Sequence, residues 1–155
     1  MKLKCQSLVY GRAEGPLLKL AAPLSFWGGV DLKTATICDA FHPNKGGRIG
    51  GAILAMPAAR GSSSASSALL ELVRAGAAPA AILLCQADPI LLIGAIVAKD
   101  MYGVTIPMAL MRQSDWDGLS SAAHAALGPA KPGQPEKQPQ LWLDLAPPHP
   151  SNPQS

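Results

Sequence analysis

The sequence predicts an α/β domain in which a strand-rich first half packs on a smaller helical layer. Three observations carry this. Beyond residue 49, apolar runs and helically spaced segments alternate as strand, helix, strand, helix, strand, the order of crossover units with a parallel component. Before residue 49, short runs of β-formers are separated by glycine turns. The length, 155 residues, is that of one domain with a modest core.

Residues 2–10 alternate loosely and read as a first strand. Gly11, Gly15 and Pro16 punctuate a turn. Residues 17–21 are a second strand, ended by Pro23. Ser25-Phe26-Trp27-Gly28-Gly29-Val30-Asp31 is a loop, and residues 34–39 are a third strand. His42 lies in the next loop, before a proline and therefore extended. Residues 49–56 form a strand. Residues 65–75 form a helix, with apolar positions at Ala65, Leu69, Leu72 and Val73 and a stop at Gly76. Residues 79–85 read as a buried strand. Asp88-Pro89 then caps a helix running to about residue 99, with proline at its first position. Residues 102–108 are a short strand, and residues 116–125 a last helical turn or two.

From Gly128 on, prolines dominate, so residues 1–127 are the domain and residues 128–155 an extended or disordered tail. The island Leu141-Trp142-Leu143-Asp144-Leu145 docks either on a partner or back on the domain.

Composition narrows the function classes. Charged residues make up 15% of the chain, against about 25% in an average domain. A surface so poor in charge implies that another protein covers part of it. The net charge is +3, and lysines and arginines are scattered without an aromatic stripe, which argues against nucleic acid. The apolar stretch 75–86 is broken by Gly76 and Pro79 and falls short of a membrane span. Gln6, Tyr10 and Arg12 come too early for a signal sequence, so a cytoplasmic protein is expected. Cys5, Cys38 and Cys85 are widely spaced and read as small buried hydrophobes, not as metal ligands.

The chemistry concentrates at Arg60-Gly61-Ser62-Ser63-Ser64, between the apolar run ending at Met56 and a helix. Gly61 permits a tight turn and close approach of a ligand. The serines can cap the helix, whose first free N–H groups form an anion site. A hydroxyl held there sits beside donors that favour its deprotonated form or a bound carboxylate. A solvated serine-rich loop with an ordinary N-cap would look the same. Phe26 and Trp27 can anchor a pocket wall, while Gly28 and Gly29 bring backbone N–H groups to a ligand. The alternative is a packed β corner with a glycine bulge. His42 is either an acid/base group or a structural residue.

Four motifs occur here in order. They are Ser25-Phe26-Trp27-Gly28-Gly29-Val30-Asp31, His42-Pro43 with Gly46, Arg60-Gly61-Ser62-Ser63 at a helix start, and Gly76 through Pro79 into Ala80-Ala81-Ile82. Together they closely resemble the small subunit of aconitase X, over about residues 9–107. That family is homologous to the swivel domain of aconitases and isopropylmalate isomerases. The resemblance implies a swivelling β/β/α domain, a strand-rich barrel-like half with helices packed on it, closing over a larger catalytic subunit. The large subunit would carry an iron or iron–sulfur centre on its cysteines; no metal ligand or cofactor is expected in this chain. One departure lies at Thr34-Ala35-Thr36, where the family usually has glycine near position 35. It should alter a turn and not the chemistry.

The resemblance also implies roles. Ser62, which follows the glycine, is the base. Ser63, with the N–H groups of Ser63 and Ser64, binds the substrate carboxylate or steadies the alkoxide. Gly28, Gly29 and Asp31 line the opposite wall. His42 and Arg60 complete the set, with Arg60 equally able to pair with the partner subunit. Bacterial members dehydrate cis-3-hydroxy-L-proline to an enamine that becomes 1-pyrroline-2-carboxylate; archaeal members dehydrate 5-phosphomevalonate. The alanine- and proline-rich composition favours hydroxyproline. Only Lys45, Arg48 and Arg60 are placed for a phosphate, which leaves phosphomevalonate as the alternative. A non-catalytic binding module of the same fold is the other class of reading.

Overall fold

β5 (Ile53–Met56) and β6 (Ala81–Leu84) are buried at every position, and they sit between two cores. Ile53, Ala55, Ala81 and Leu83 join Cys5, Leu17, Ala125, Leu127, Leu141 and Leu143 in one cluster. The alternate residues Leu54, Met56, Ile82 and Leu84 join Leu69, Leu72, Leu91 and Ala95 in the other. Side chains on a strand point to opposite faces in turn, so a continuous apolar run is what a strand covered on both sides needs.

The structure, a computed structural model, describes residues 2–129 and 140–145. The remaining strands are β1 (Lys2–Val9), β2 (Ala13–Lys19), β3 (Val30–Asp31), β4 (Thr36–Ile37), β7 (Met108–Leu110), β8 (Ala122–Gly128) and β9 (Gln140–Leu145). Seven of the strands close a barrel in the order β1-β7-β6-β5-β2-β8-β9. Neighbours β2, β5, β6 and β7 run parallel. The other pairs in the barrel are antiparallel.

Of the parallel strands, β5, β6 and β7 are linked in turn by the two expected crossover helices, α2 (Ser64–Arg74) and α3 (Pro89–Tyr102). α2 buries Ala65, Ala68, Leu69, Leu72 and Val73. Leu69 and Leu72 are fully buried, which contributes about 1.5–3 kcal/mol each. The Asp88 carboxylate caps α3, accepting from Ile90 N and Leu91 N at 2.9 Å each. Gly103, at φ +64°, ends it.

Several expectations need correction. Gly15 and Pro16 lie inside β2, where the register slips between Gly15 and Leu17. A bulge tolerates a residue without an N–H. The strand expected at 34–39 shrinks to β4, paired with β3 and bridged at Thr36 to Arg48. The Asp31 carboxylate accepts from Lys33 N and Thr34 N and turns the chain, and Ala35 stands at φ +54°. The last strand of the crossover region starts at Met108, because α3 runs on to Tyr102. The helical reading of 116–125 fails: α4 (Gln113–Asp117) ends early and the alanine-rich run is β8. Its pairing with β2 and β9 overrides alanine's helical preference.

Residues 140–145, assigned to the tail, are β9. They pair with β1 and β8 and bury Leu141 and Leu143 completely. The apolar island therefore docks back on the domain and closes the barrel. The rest of the expected disordered tail, 130–139 and 146–155, lies outside the described residues. Cys38 is exposed, not buried.

Candidate functional site

Beyond β5 the chain runs beside residues 24–25. Leu24 and Ala59 form a parallel bridge, and Arg60 N donates to Leu24 O at 3.1 Å. Gly61 then adopts φ +120°, where L side chains are strained. A Cβ there would stand 2.3 Å from Ser25 Oγ and 3.2 Å from Ser25 Cβ. The expected glycine turn is present, and both its conformation and its packing require glycine.

Ser62 follows, exposed, at the threshold of α2. Its carbonyl accepts from Ala65 N at 3.1 Å and its Oγ accepts from Ser64 N at 3.3 Å. A backbone N–H aimed at the hydroxyl oxygen favours negative charge on that oxygen. Ser64 N–H is thus directed at Ser62 itself. Ser63 occupies the N-cap with helical φ −56°, ψ −20°, and its hydroxyl makes no capping bond.

The aromatic–glycine segment is a single kinked turn, α1 (Phe26–Gly29), in which Trp27 and Gly28 leave helical geometry. Phe26 is buried as an anchor and Trp27 is 56% exposed. Ser25 Oγ donates to Trp27 O at 2.8 Å. Gly28, at φ +81°, has nothing within 4 Å of where a Cβ would stand, so its backbone borders open space. Gly29 is buried, and its carbonyl accepts from Cys38 N at 2.9 Å. Asp31 spends its carboxylate on the turn at Lys33 and Thr34.

Arg60 is exposed and faces Asp39 at 4.0 Å, while Asp39 also accepts from Phe41 N. Phe41 is 97% exposed. Two large aromatics left open beside the segments that flank Ser62 suit a face covered by another protein. His42 is buried, and both ring nitrogens are taken. Nδ1 accepts from Asn44 N at 3.0 Å, which fixes Nε2 as the donor to Ala22 O at 3.1 Å. The ring ties two loops together and has no free nitrogen for acid/base work.

The geometry therefore joins Ser62, Ser63, Ser64 and Arg60 to the Gly28 segment through Ser25, while the His42 ring is engaged by Ala22 and Asn44 and the Asp31 carboxylate by its own turn. Sequence reading missed Ser25 and Asp39. Their only local signal is a small polar residue before the aromatic–glycine run and an acid before a loop. Among the described residues no group of three or more His, Cys, Asp or Glu could hold a metal, and no helix is long and apolar enough to cross a membrane. A groove of about 550 Å³ lined by Lys2, Arg12, Glu14, Trp142 and Asp144, among others, includes none of the expected site residues.

Relatives are clear. The chain is 46% identical over 122 residues to a cis-3-hydroxy-L-proline dehydratase of Pseudomonas aeruginosa, covering 79% of this chain and 21% of that protein. It thus spans about a fifth of that relative's length. It is 39% identical over 119 residues to the phosphomevalonate dehydratase small subunit of Methanothermobacter thermautotrophicus, covering 77% of this chain and 86% of that one. The crystal structure of Thermococcus kodakaraensis aconitase X in its holo form superposes with a TM-score of 0.74 at 30% identity, over 92% of this chain and 98% of that chain. With the aconitase X swivel-domain model matching residues 2–131, this chain belongs to the aconitase X swivel-domain family.

Proposed function

We propose that this chain is the small, swivelling subunit of an aconitase X hydro-lyase and supplies Ser62 as the base for dehydration of cis-3-hydroxy-L-proline. The observation that carries this is the exposed Ser62 hydroxyl at the start of α2, with Ser64 N–H on its oxygen. Serine is a poor base in water. It serves only where its alkoxide is stabilised by donors and water is excluded. The Ser64 N–H supplies one donor, Arg60 a nearby positive charge, and a closing partner the exclusion of water.

In the proposed reaction Ser62 Oγ takes the α-proton of the amino acid. Ser62 enters as the alkoxide and becomes the neutral hydroxyl. The C–H electron pair becomes the Cα–Cβ double bond. The β-hydroxyl leaves with its electron pair and becomes water on taking up one proton, which Ser62 gives back as it returns to the alkoxide. The enamine tautomerises to 1-pyrroline-2-carboxylate. The substrate carboxylate lies against Ser63, the Ser63 N–H and Arg60, with Gly28 and Gly29 on the far wall. The large subunit is the partner, and the iron or iron–sulfur centre implied by the family belongs to it. The residues described here do not form a ligand set for such a centre. A cytoplasmic location is part of the same reading.

The 46% identity to the hydroxyproline dehydratase over 122 residues, against 37–43% to phosphomevalonate dehydratase small subunits over 98–119 residues, supports the choice of substrate. The second reading, a phosphomevalonate dehydratase small subunit, is favoured by the 86% coverage of that relative. Co-expression with the large subunit and assay of both compounds decides between them. Turnover of phosphomevalonate alone overturns the substrate. Near wild-type turnover by Ser62→Ala overturns the base and leaves a binding module.

A further inference from the structure

We propose that Ser25 is the positioning residue that fixes Ser62 for proton abstraction; this rests on the reading of Ser62 as the base. Two contacts hold the turn that delivers Ser62, and both come from adjacent residues. Arg60 N is hydrogen-bonded to Leu24 O at 3.1 Å. One residue later, the space a Gly61 side chain would need is filled by the Ser25 hydroxyl, whose oxygen lies 2.3 Å from the ideal Cβ position. Ser62 is the next residue, so the segment 24–25 sets where its backbone enters α2.

The Ser25 hydroxyl is itself held. It donates to Trp27 O at 2.8 Å, which commits its proton and turns its lone pairs away from that bond. The carbonyl that receives it belongs to a residue with non-helical φ −85°, ψ 116°, followed by Gly28 at φ +81°. One oxygen atom therefore bridges the two halves of the site: the aromatic–glycine wall and the serine turn. An alanine at position 25 would leave Trp27 O without its donor and open a gap beside Gly61. Small misplacements of a reacting group cost rate far more than they cost stability.

The test uses the reconstituted complex of this chain with the large subunit, assayed with cis-3-hydroxy-L-proline. Ser62→Ala is run in parallel with Ser25→Ala. For Ser25→Ala we expect kcat to fall about 10- to 100-fold with KM within about threefold of wild type. The alkaline-rising limb of the pH–kcat profile should move to higher pH, because a displaced Ser62 loses the Ser64 N–H that eases its ionisation. The thermal midpoint and the affinity for the large subunit should stay unchanged. A kcat within twofold of wild type overturns the inference. So does a fall in amplitude with the pH limb unmoved, which is what simple loss of folded enzyme produces. If Ser62→Ala is inactive and either of those results is seen, only the role of Ser25 fails. If Ser62→Ala remains active, the base reading fails first and this inference falls with it.

Discussion

Arg60 and Asp39 face each other at 4.0 Å across the mouth of the serine turn, with the arginine side chain 69% exposed and the aspartate 27%. An ion pair so open to water contributes little to stability, about 1 kcal/mol or less. Its interest is functional, since it anchors the guanidinium of the residue just before the Gly61 turn. Asp39→Asn should therefore change the unfolding free energy by no more than about 1 kcal/mol, as read by urea titration. Arg60→Met should leave stability equally unaffected yet raise KM for the hydroxy acid about tenfold, the loss of one charged contact to a carboxylate. An unchanged KM would move Arg60 from the substrate to the subunit interface.

Gly61 and Ala35 both sit at positive φ, +120° and +54°, but should respond differently to substitution. Gly61→Ala meets a forbidden conformation and the Ser25 hydroxyl at 2.3 Å. The strain should cost about 1–3 kcal/mol and most of the activity of the complex. Ala35→Gly relieves a left-handed alanine, worth about 1 kcal/mol, but removes a fully buried methyl and frees the unfolded chain, which cost about the same. Its unfolding free energy should stay within about 1 kcal/mol of wild type, with activity intact. The pair of urea titrations and one activity assay check both.

The parts of this fold written in local pattern were legible. Leu54, Met56, Ile82 and Leu84 sit in apolar runs, Leu69 and Leu72 recur at helical spacing, and Asp88-Pro89 announces its helix. The parts decided by distant partners were not. Alanine-rich β8 reads as helix until β2 and β9 flank it, and Leu141 and Leu143 read as tail until β1 pairs with them. The site divides the same way. Gly61-Ser62 at a strand-to-helix junction is a local signal. The contact of Ser25 with Gly61, the pairing of Asp39 with Arg60 and the bond of His42 Nε2 to Ala22 O join residues that no spacing connects.

The three thiols should separate by environment. Cys38 is exposed, with its sulfur 3.6 Å from Gly28 O; Cys85 is half-buried; Cys5 is enclosed in the barrel. Burial pushes the Cys5 thiol from 9.0 up to about 11, with the charge of Asp115 adding to the effect. Burial also raises Cys85. Iodoacetamide should alkylate Cys38 first and Cys5 last, as read by mass spectrometry of timed samples. The raised Cys5 value means the unfolded chain loses that proton first. Stability should be unaffected below pH 9 and fall as pH rises from about 9 to about 11. Cys5→Ala should reduce that alkaline slope; an unchanged slope would assign it to other groups.

The closing strand of the barrel makes the last prediction. Leu143 is fully buried, pairs with Leu3 of β1 and with Leu127 of β8, and sits in the cluster that includes Ile53 and Leu83. Replacing it by alanine removes apolar surface and leaves a cavity, a cost of about 2–5 kcal/mol. Ending the chain before residue 140 does more. It removes the strand that joins β1 to β8, opens the barrel, and exposes two edges with unpaired N–H and C=O groups. Leu143→Ala should shift the urea midpoint down while unfolding stays cooperative. The shortened chain should lose cooperative unfolding and associate, measured by circular dichroism and light scattering. Because β5 carries the serine turn at its end and is held in the same barrel, loss of this remote strand should also abolish activity in the complex, although no residue of β9 is among those placed at the Ser62 site.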